Sequence, residues 1–201
     1  MKNIIAILCL LIAGVPVFAQ ISKGTSTIGG SISLTHQKSD YTIDPRYSNG
    51  PAEYKETSLI ISPGYGYFIT NNFCIGANLA ASFSKGTDIV TGPDLHHKDR
   101  SFGIGPFLRY YIPLDSKLYV YAATSATRLW TRSTSEQSGT NGIFTSSEKN
   151  KSLAWDMGIG VSYFINPNAA VETGLAYRHD NGDDTSTLAL NIGFRIFLRK
   201  A

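Results

Sequence analysis

Arg109, Asp156, Glu172, Arg178 and Arg195 are the charges of this chain most constrained by their neighbours. Each lies on the small-residue side of a segment that alternates with period two, a side otherwise rich in Gly, Ala and Ser. Charges enclosed on such a side must pair or keep water, because a lone buried ion is costly. If residues 165 and 169 face each other across the turn Asn166-Pro167-Asn168, Asp156 falls directly opposite Arg178. Arg109, Glu172 and Arg195 gather lower in the same interior. The chemistry this predicts is a structural charge network, with a narrow ion pathway as the alternative use of the same groups.

Other residues able to do chemistry form weaker patterns. His96-His97 with Asp94 and Asp99 could suggest a metal cluster, but their polar surroundings favour solvated surface. The pairs Gly64/Gly66, Gly103/Gly105 and Gly158/Gly160 resemble phosphate loops only superficially. A dinucleotide fingerprint needs a helix after its glycines, and here alternating sequence continues. Glycine at these positions relieves crowding and permits tight coiling of a sheet. Cys74 reads as a small wall residue. No catalytic residue, metal site or cofactor is expected.

The elements that position these groups are strands. Period-two alternation predicts eight, near 25–38, 56–69, 73–86, 100–114, 117–131, 151–165, 169–179 and 185–198. Three hairpins repeat one layout: ISPGYGYFITNNFCIGANLA, GPFLRYYIPLDSKLYVYAAT and GVSYFINPNAAVETGLAY. Tight turns at Thr70-Asn71-Asn72, Asp115-Ser116-Lys117 and Asn166-Pro167-Asn168 alternate with polar stretches at 39–55, 87–99, 132–150 and 180–184. Short turns at one end and long loops at the other is the layout of a transmembrane β-barrel.

Parity assigns the faces. The last strand carries Leu188, Leu190, Ile192, Phe194, Ile196 and Leu198 against Thr187, Ala189, Asn191, Gly193 and Arg195. Leu153, Trp155, Met157, Ile159 and Val161 oppose Ala154, Asp156, Gly158, Gly160 and Ser162 in the same way. An apolar outer face suits lipid, whereas a soluble barrel turns its apolar face inward. The fifth strand is ambiguous alone; carrying over the turn geometry of the other hairpins places Tyr119 and Tyr121 inward. Aromatics near the tight turns, among them Tyr65, Tyr67, Phe68, Tyr110, Tyr111, Tyr163, Phe194 and Phe197, are expected to form one headgroup girdle. Phe102, Trp130, Trp155 and Tyr177 are expected to form the other.

Residues 1–19 read as a signal peptide: Lys2, an apolar stretch to Phe18, and Val17-Phe18-Ala19 before a cut at Gln20. The remaining 182 residues (201 less 19) form one domain, 20–201. Their net charge is +2, the whole-chain +3 less Lys2, too mild and dispersed to argue for nucleic acid. No run after residue 19 approaches the ~20 apolar residues of a spanning helix.

On these hairpins and the closing LALNIGFRIFL, the chain resembles the small eight-stranded outer-membrane β-barrel family. It is similar to OmpX-like and OmpA-barrel-like porin-fold proteins, in the style of free-standing Bacteroidetes-type members. The resemblance implies an all-β, eight-stranded antiparallel up-and-down transmembrane barrel in the cell outer membrane. It also implies partners: outer-membrane lipid, periplasmic chaperones and the insertion machinery. That machinery usually reads a final aromatic residue, where this chain continues from Phe197 through Leu198 to Ala201. The expected role is structural or surface-binding (envelope integrity, adhesion), with a side-chain-filled lumen and a surface ligand met through loops 39–55 and 132–150. The alternatives are a narrow channel and an outer-leaflet lipid-modifying enzyme. For the latter, His36, His179 and Ser186 share outward parity near the loop ends, although the His-x-Ser spacing of an outer-membrane deacylase is absent. A secreted soluble barrel holding a hydrophobic ligand would need the faces reversed.

Overall fold

The computed structural model describes residues 21–42, 51–89, 95–139, 142–182 and 185–198. The expected signal peptide, Asp94 and most of 39–55 beyond its strand ends lie outside them. Eight antiparallel strands follow one another around a closed barrel: β1 Ser26–Thr42, β2 Pro51–Thr70, β3 Phe73–Ile89, β4 Leu95–Pro113, β5 Leu118–Gly139, β6 Gly142–Asn166, β7 Ala169–Asp180 and β8 Thr185–Leu198. The ring closes where β1 pairs with β8, from Ser26↔Leu198 to Ser33↔Asn191.

The alternation drives this arrangement. Leu34, Met157, Ile159, Leu188 and Ile192 stand outward at 60–68% exposure, while the intervening residues turn inward. No water-soluble sheet leaves such a continuous apolar face uncovered. Tyr119 and Tyr121 point inward, at 0% and 7% exposure, as the turn geometry requires.

The tight turns have local causes. Asn72 occupies the left-handed region at φ 67°, which Asn tolerates better than most residues. Asn166 Oδ1 accepts the Asn168 amide at 2.8 Å, an Asx turn. Here the expected 165–169 pairing needs correction. Asn166 pairs with Ala169, and a register shift between Phe164 and Asn166 leaves Ile165 as a bulge. The two-residue turn closes more tightly than assumed, and the bulge absorbs the extra residue. From Phe164↔Ala170 onward the register is the expected one, with Asp156 opposite Arg178.

The strand lengths differ more. Much of what reads as loop is ladder: β5 and β6 pair without interruption from Leu118↔Tyr163 to Gly139↔Gly142, and β1 and β2 as far as Thr42↔Pro51. β3 and β4 pair up to Asp88↔Leu95. The reason is environmental. Thr145 to Lys151 are exposed on both parities, so hydropathy stops alternating although backbone pairing continues. Ser, Thr and Asn then imitate a loop in sequence.

Small inward residues set how closely the strands coil. A Cβ on Gly105 would run into the Ala126 carbonyl oxygen of β5, whereas one on Gly64 would meet the Ala77 carbonyl oxygen at 3.2 Å. Gly105→Ala should therefore cost about 1–3 kcal/mol of folding stability through overpacking, with a smaller loss for Gly64→Ala. Urea titration of both variants in detergent, followed by the mobility of unboiled protein on a gel, checks the order.

Candidate functional site in the barrel interior

The turn end of the bore is filled by aromatic rings. Phe68, Tyr111, Tyr119, Phe164 and Phe197 are each at most 1% exposed, and Ile21 packs with them. Their centroids lie 4.8 Å apart for Phe164–Phe197, 5.1 Å for Tyr119–Phe164 and 5.7 Å for Phe68–Tyr111, within the range of favourable aromatic pairs. This corrects the expectation for Phe68, Tyr111 and Phe197, which belong to the plug and not to a headgroup girdle. The cause is strand parity: in Tyr67-Phe68 and Tyr110-Tyr111 adjacent rings take opposite faces. Tyr67 and Tyr110 remain outward, at 43% and 42% exposure.

Above the plug lies a layer of charge. Arg109 Nη1 donates to Glu172 Oε2 at 2.6 Å, and Arg195 Nε donates to both Glu172 oxygens at 3.2 Å. Tyr111 supplies a further hydrogen bond to Glu172 Oε1 at 3.0 Å. The Arg109 guanidinium sits 4.3 Å from the Tyr121 ring centroid, a cation–π distance. Strands β4, β7 and β8 thus converge on one carboxylate. Glu172 and Arg195 are only 4% and 6% exposed, so the carboxylate is held by charge-assisted bonds in a poorly solvated place.

Nearer the loop end, Arg178 Nε meets Asp156 Oδ1 at 2.7 Å, and Ser125 Oγ donates to Asp156 Oδ2 at 3.0 Å. This pair is wetter, with side chains 21% and 18% exposed. The structure thus brings the five predicted charges into two groups, Arg109–Glu172–Arg195 and Asp156–Arg178. The partners that sequence reasoning missed are Tyr111 and Tyr121. Their inward parity was the available signal, but no pattern in sequence shows which residues meet across a bore.

Between and above these groups is a cavity of about 830 Å³, lined by Ser31, Ser33, Ser62, Asn78, Ser82 and Ser101 among others. The lumen is therefore side-chain-filled only in its turn-side half, a correction to the expected filling throughout. Gly, Ala and Ser on the inward parity are too short to meet across the upper bore. Ser33 Oγ and Asn78 Oδ1 have no protein hydrogen-bond partner, so the polar lining is suited to water.

The remaining candidates separate. His96 and His97 bond to Thr87 and Ser135 respectively and, as strand neighbours, point to opposite faces. Among the described residues no three His, Cys, Asp or Glu converge on a metal position. His179 Nδ1 lies 3.2 Å from Ser186 Oγ, which also contacts Tyr177 Oη at 2.8 Å; His36 instead meets Thr57. The first contact is what directly opposed outward residues on β7 and β8 make.

A ring of eight strands, apolar outside and polar or charged within, is the geometry of an outer-membrane barrel. The family model described as outer membrane protein beta-barrel domain matches residues 5–195. The chain belongs to that family. As a family member it is an integral protein of the outer membrane. The outer membrane protein OprG from Pseudomonas aeruginosa is 13% identical, with TM-score 0.55, over 90% of this chain and 98% of that one; this likeness speaks for the fold alone. Neisserial surface protein A is 19% identical, with TM-score 0.49, over 87% and 97%. No curated protein sequence gives a significant match.

Removing Glu172 leaves two guanidinium groups facing each other with no counter-charge. Glu172→Ala should cost about 3–5 kcal/mol, the range for breaking a buried pair. Asp156→Asn, in the wetter pair, should cost about 1–2 kcal/mol. Urea unfolding in detergent at neutral pH measures both, and equal losses would contradict the layered reading.

Proposed function

We propose that this barrel serves the envelope as a closed structural element and surface-binding protein, not as a pore. The observation that carries the reading is the plug. Five aromatic residues, each at most 1% exposed, fill the turn end of the bore, with the Arg109–Glu172–Arg195 layer directly above them. An ion crossing the barrel would have to displace packed rings and break a paired carboxylate, and both acts are costly.

The same geometry supports a surface role at the loop end. The β5–β6 ribbon pairs far beyond the apolar band, to Gly139↔Gly142, and so carries a polar hairpin out from the membrane. A hydrogen-bonded hairpin has less conformational freedom to lose on meeting a partner than a free loop does. A surface ligand met through the polar stretches 39–55 and 132–150 belongs to this proposal. So do signal cleavage before residue 20 and delivery by periplasmic chaperones and the insertion machinery.

Planar-bilayer recording tests the closed state. The folded protein should give no discrete current steps, whereas the combined variant Phe68→Ala/Tyr111→Ala/Phe197→Ala should give them. Steps of equal size from the unaltered protein would favour the narrow channel.

A further inference from the structure

The outward face at the loop end carries a run of cations across four neighbouring strands. Across β3, β4, β5 and β6 one row of directly opposed outward residues reads Phe83, Arg100, Arg132 and Lys149. The row beyond it begins with Lys85 opposite Lys98. The row toward the membrane centre sets Phe102 opposite Trp130, and Trp130 opposite Lys151. All six cations are exposed.

Like charges directly opposite in a ladder are destabilising. Here three cations stand side by side on consecutive strands. The described ion pairs give a carboxylate to one of the six, Lys98, which meets Glu136 Oε1 at 3.0 Å. Among the described residues Arg132 Nε donates to the Ser147 hydroxyl, at 3.2 Å. The outward faces of β7, β8 and β1 carry no Lys or Arg among their described side chains.

The position supplies the counter-charge. Phe83, Phe102 and Trp130 are 49%, 53% and 41% exposed and lie beside or just below the basic row. Aromatic side chains of this kind mark the headgroup level, and the loop end faces the outer leaflet. A phosphate at the height of Arg100 and Arg132 would place its attached acyl chains against Phe102 and Trp130. Guanidinium groups suit phosphate because they donate in a planar fork.

We propose that the β3–β6 wall is a binding site for phosphate-bearing lipid of the outer leaflet, with Arg100, Arg132 and Lys149 as its centre. The site rests on the chain's place in the outer membrane and is independent of whether the lumen is closed.

Trp130 provides the readout. The chain has two tryptophans, so Trp155→Phe leaves Trp130 alone, adjacent to the patch. This variant is folded into phosphatidylcholine vesicles containing bromine-labelled phosphatidate or, separately, bromine-labelled diacylglycerol at the same mole fraction. Phosphatidate should quench Trp130 more strongly, with each neutralised cation lowering its local excess by about fivefold. Arg132→Gln should show one such step, and Arg100→Gln/Arg132→Gln/Lys149→Gln should abolish the excess. Lys117→Gln, at the opposite end, should leave it intact. Equal quenching by the two lipids, or an excess that survives the triple change, overturns the proposal. Loss of the excess on adding millimolar inorganic phosphate would assign the patch to soluble anions and overturn the lipid reading too.

Discussion

A backbone that crosses lipid has no water to satisfy its amides and carbonyls, and every other feature of this molecule follows from that constraint. Eight strands meet it by pairing in a ring from β1 to β8. Closure then decides the faces. The outer face contacts hydrocarbon and carries Ile, Leu and aromatics, while the inner face receives whatever polar groups the fold retains. Because side chains alternate with period two, one choice of register fixes both.

The interior shows how charge survives in such a place. Glu172 is held from three directions by Arg109, Arg195 and Tyr111, which come from three separate strands. That convergence links parts of the ring that no backbone ladder joins directly, since β4 is not a neighbour of β7. The aromatic plug beneath it excludes water from one side, which strengthens each of those bonds and raises the cost of breaking any one of them. The Asp156–Arg178 pair, open to the cavity, is under less constraint and makes the weaker contribution.

How much of this was legible in the sequence depended on environment. Where strands cross lipid, Leu188 to Leu198 and Leu153 to Val161 announce their faces, and strand number and register follow, apart from the bulge at Ile165. Beyond the membrane both faces of Thr145 to Glu148 meet water, the alternation vanishes, and ladder is indistinguishable from loop. Adjacent aromatics such as Tyr110-Tyr111 misled for another reason: both are apolar, so only register tells which one enters the bore. The inward charges were legible by parity, but the reach of Arg109 across the lumen to Glu172 is a property of three dimensions. The cavity was hidden because small residues reveal what cannot clash, not how much space they leave.

The central claim is the inside-out assignment, and alternate-residue accessibility along β8 tests it most directly. In a Cys74→Ser background, spin labels placed singly from Leu188 to Leu198 in lipid vesicles report contact with oxygen, which concentrates in lipid, and with a water-soluble nickel chelate. High oxygen accessibility is expected at 188, 190, 192, 194, 196 and 198, with low values at the positions between them. Uniform exposure to the nickel chelate, or the opposite alternation, would contradict it.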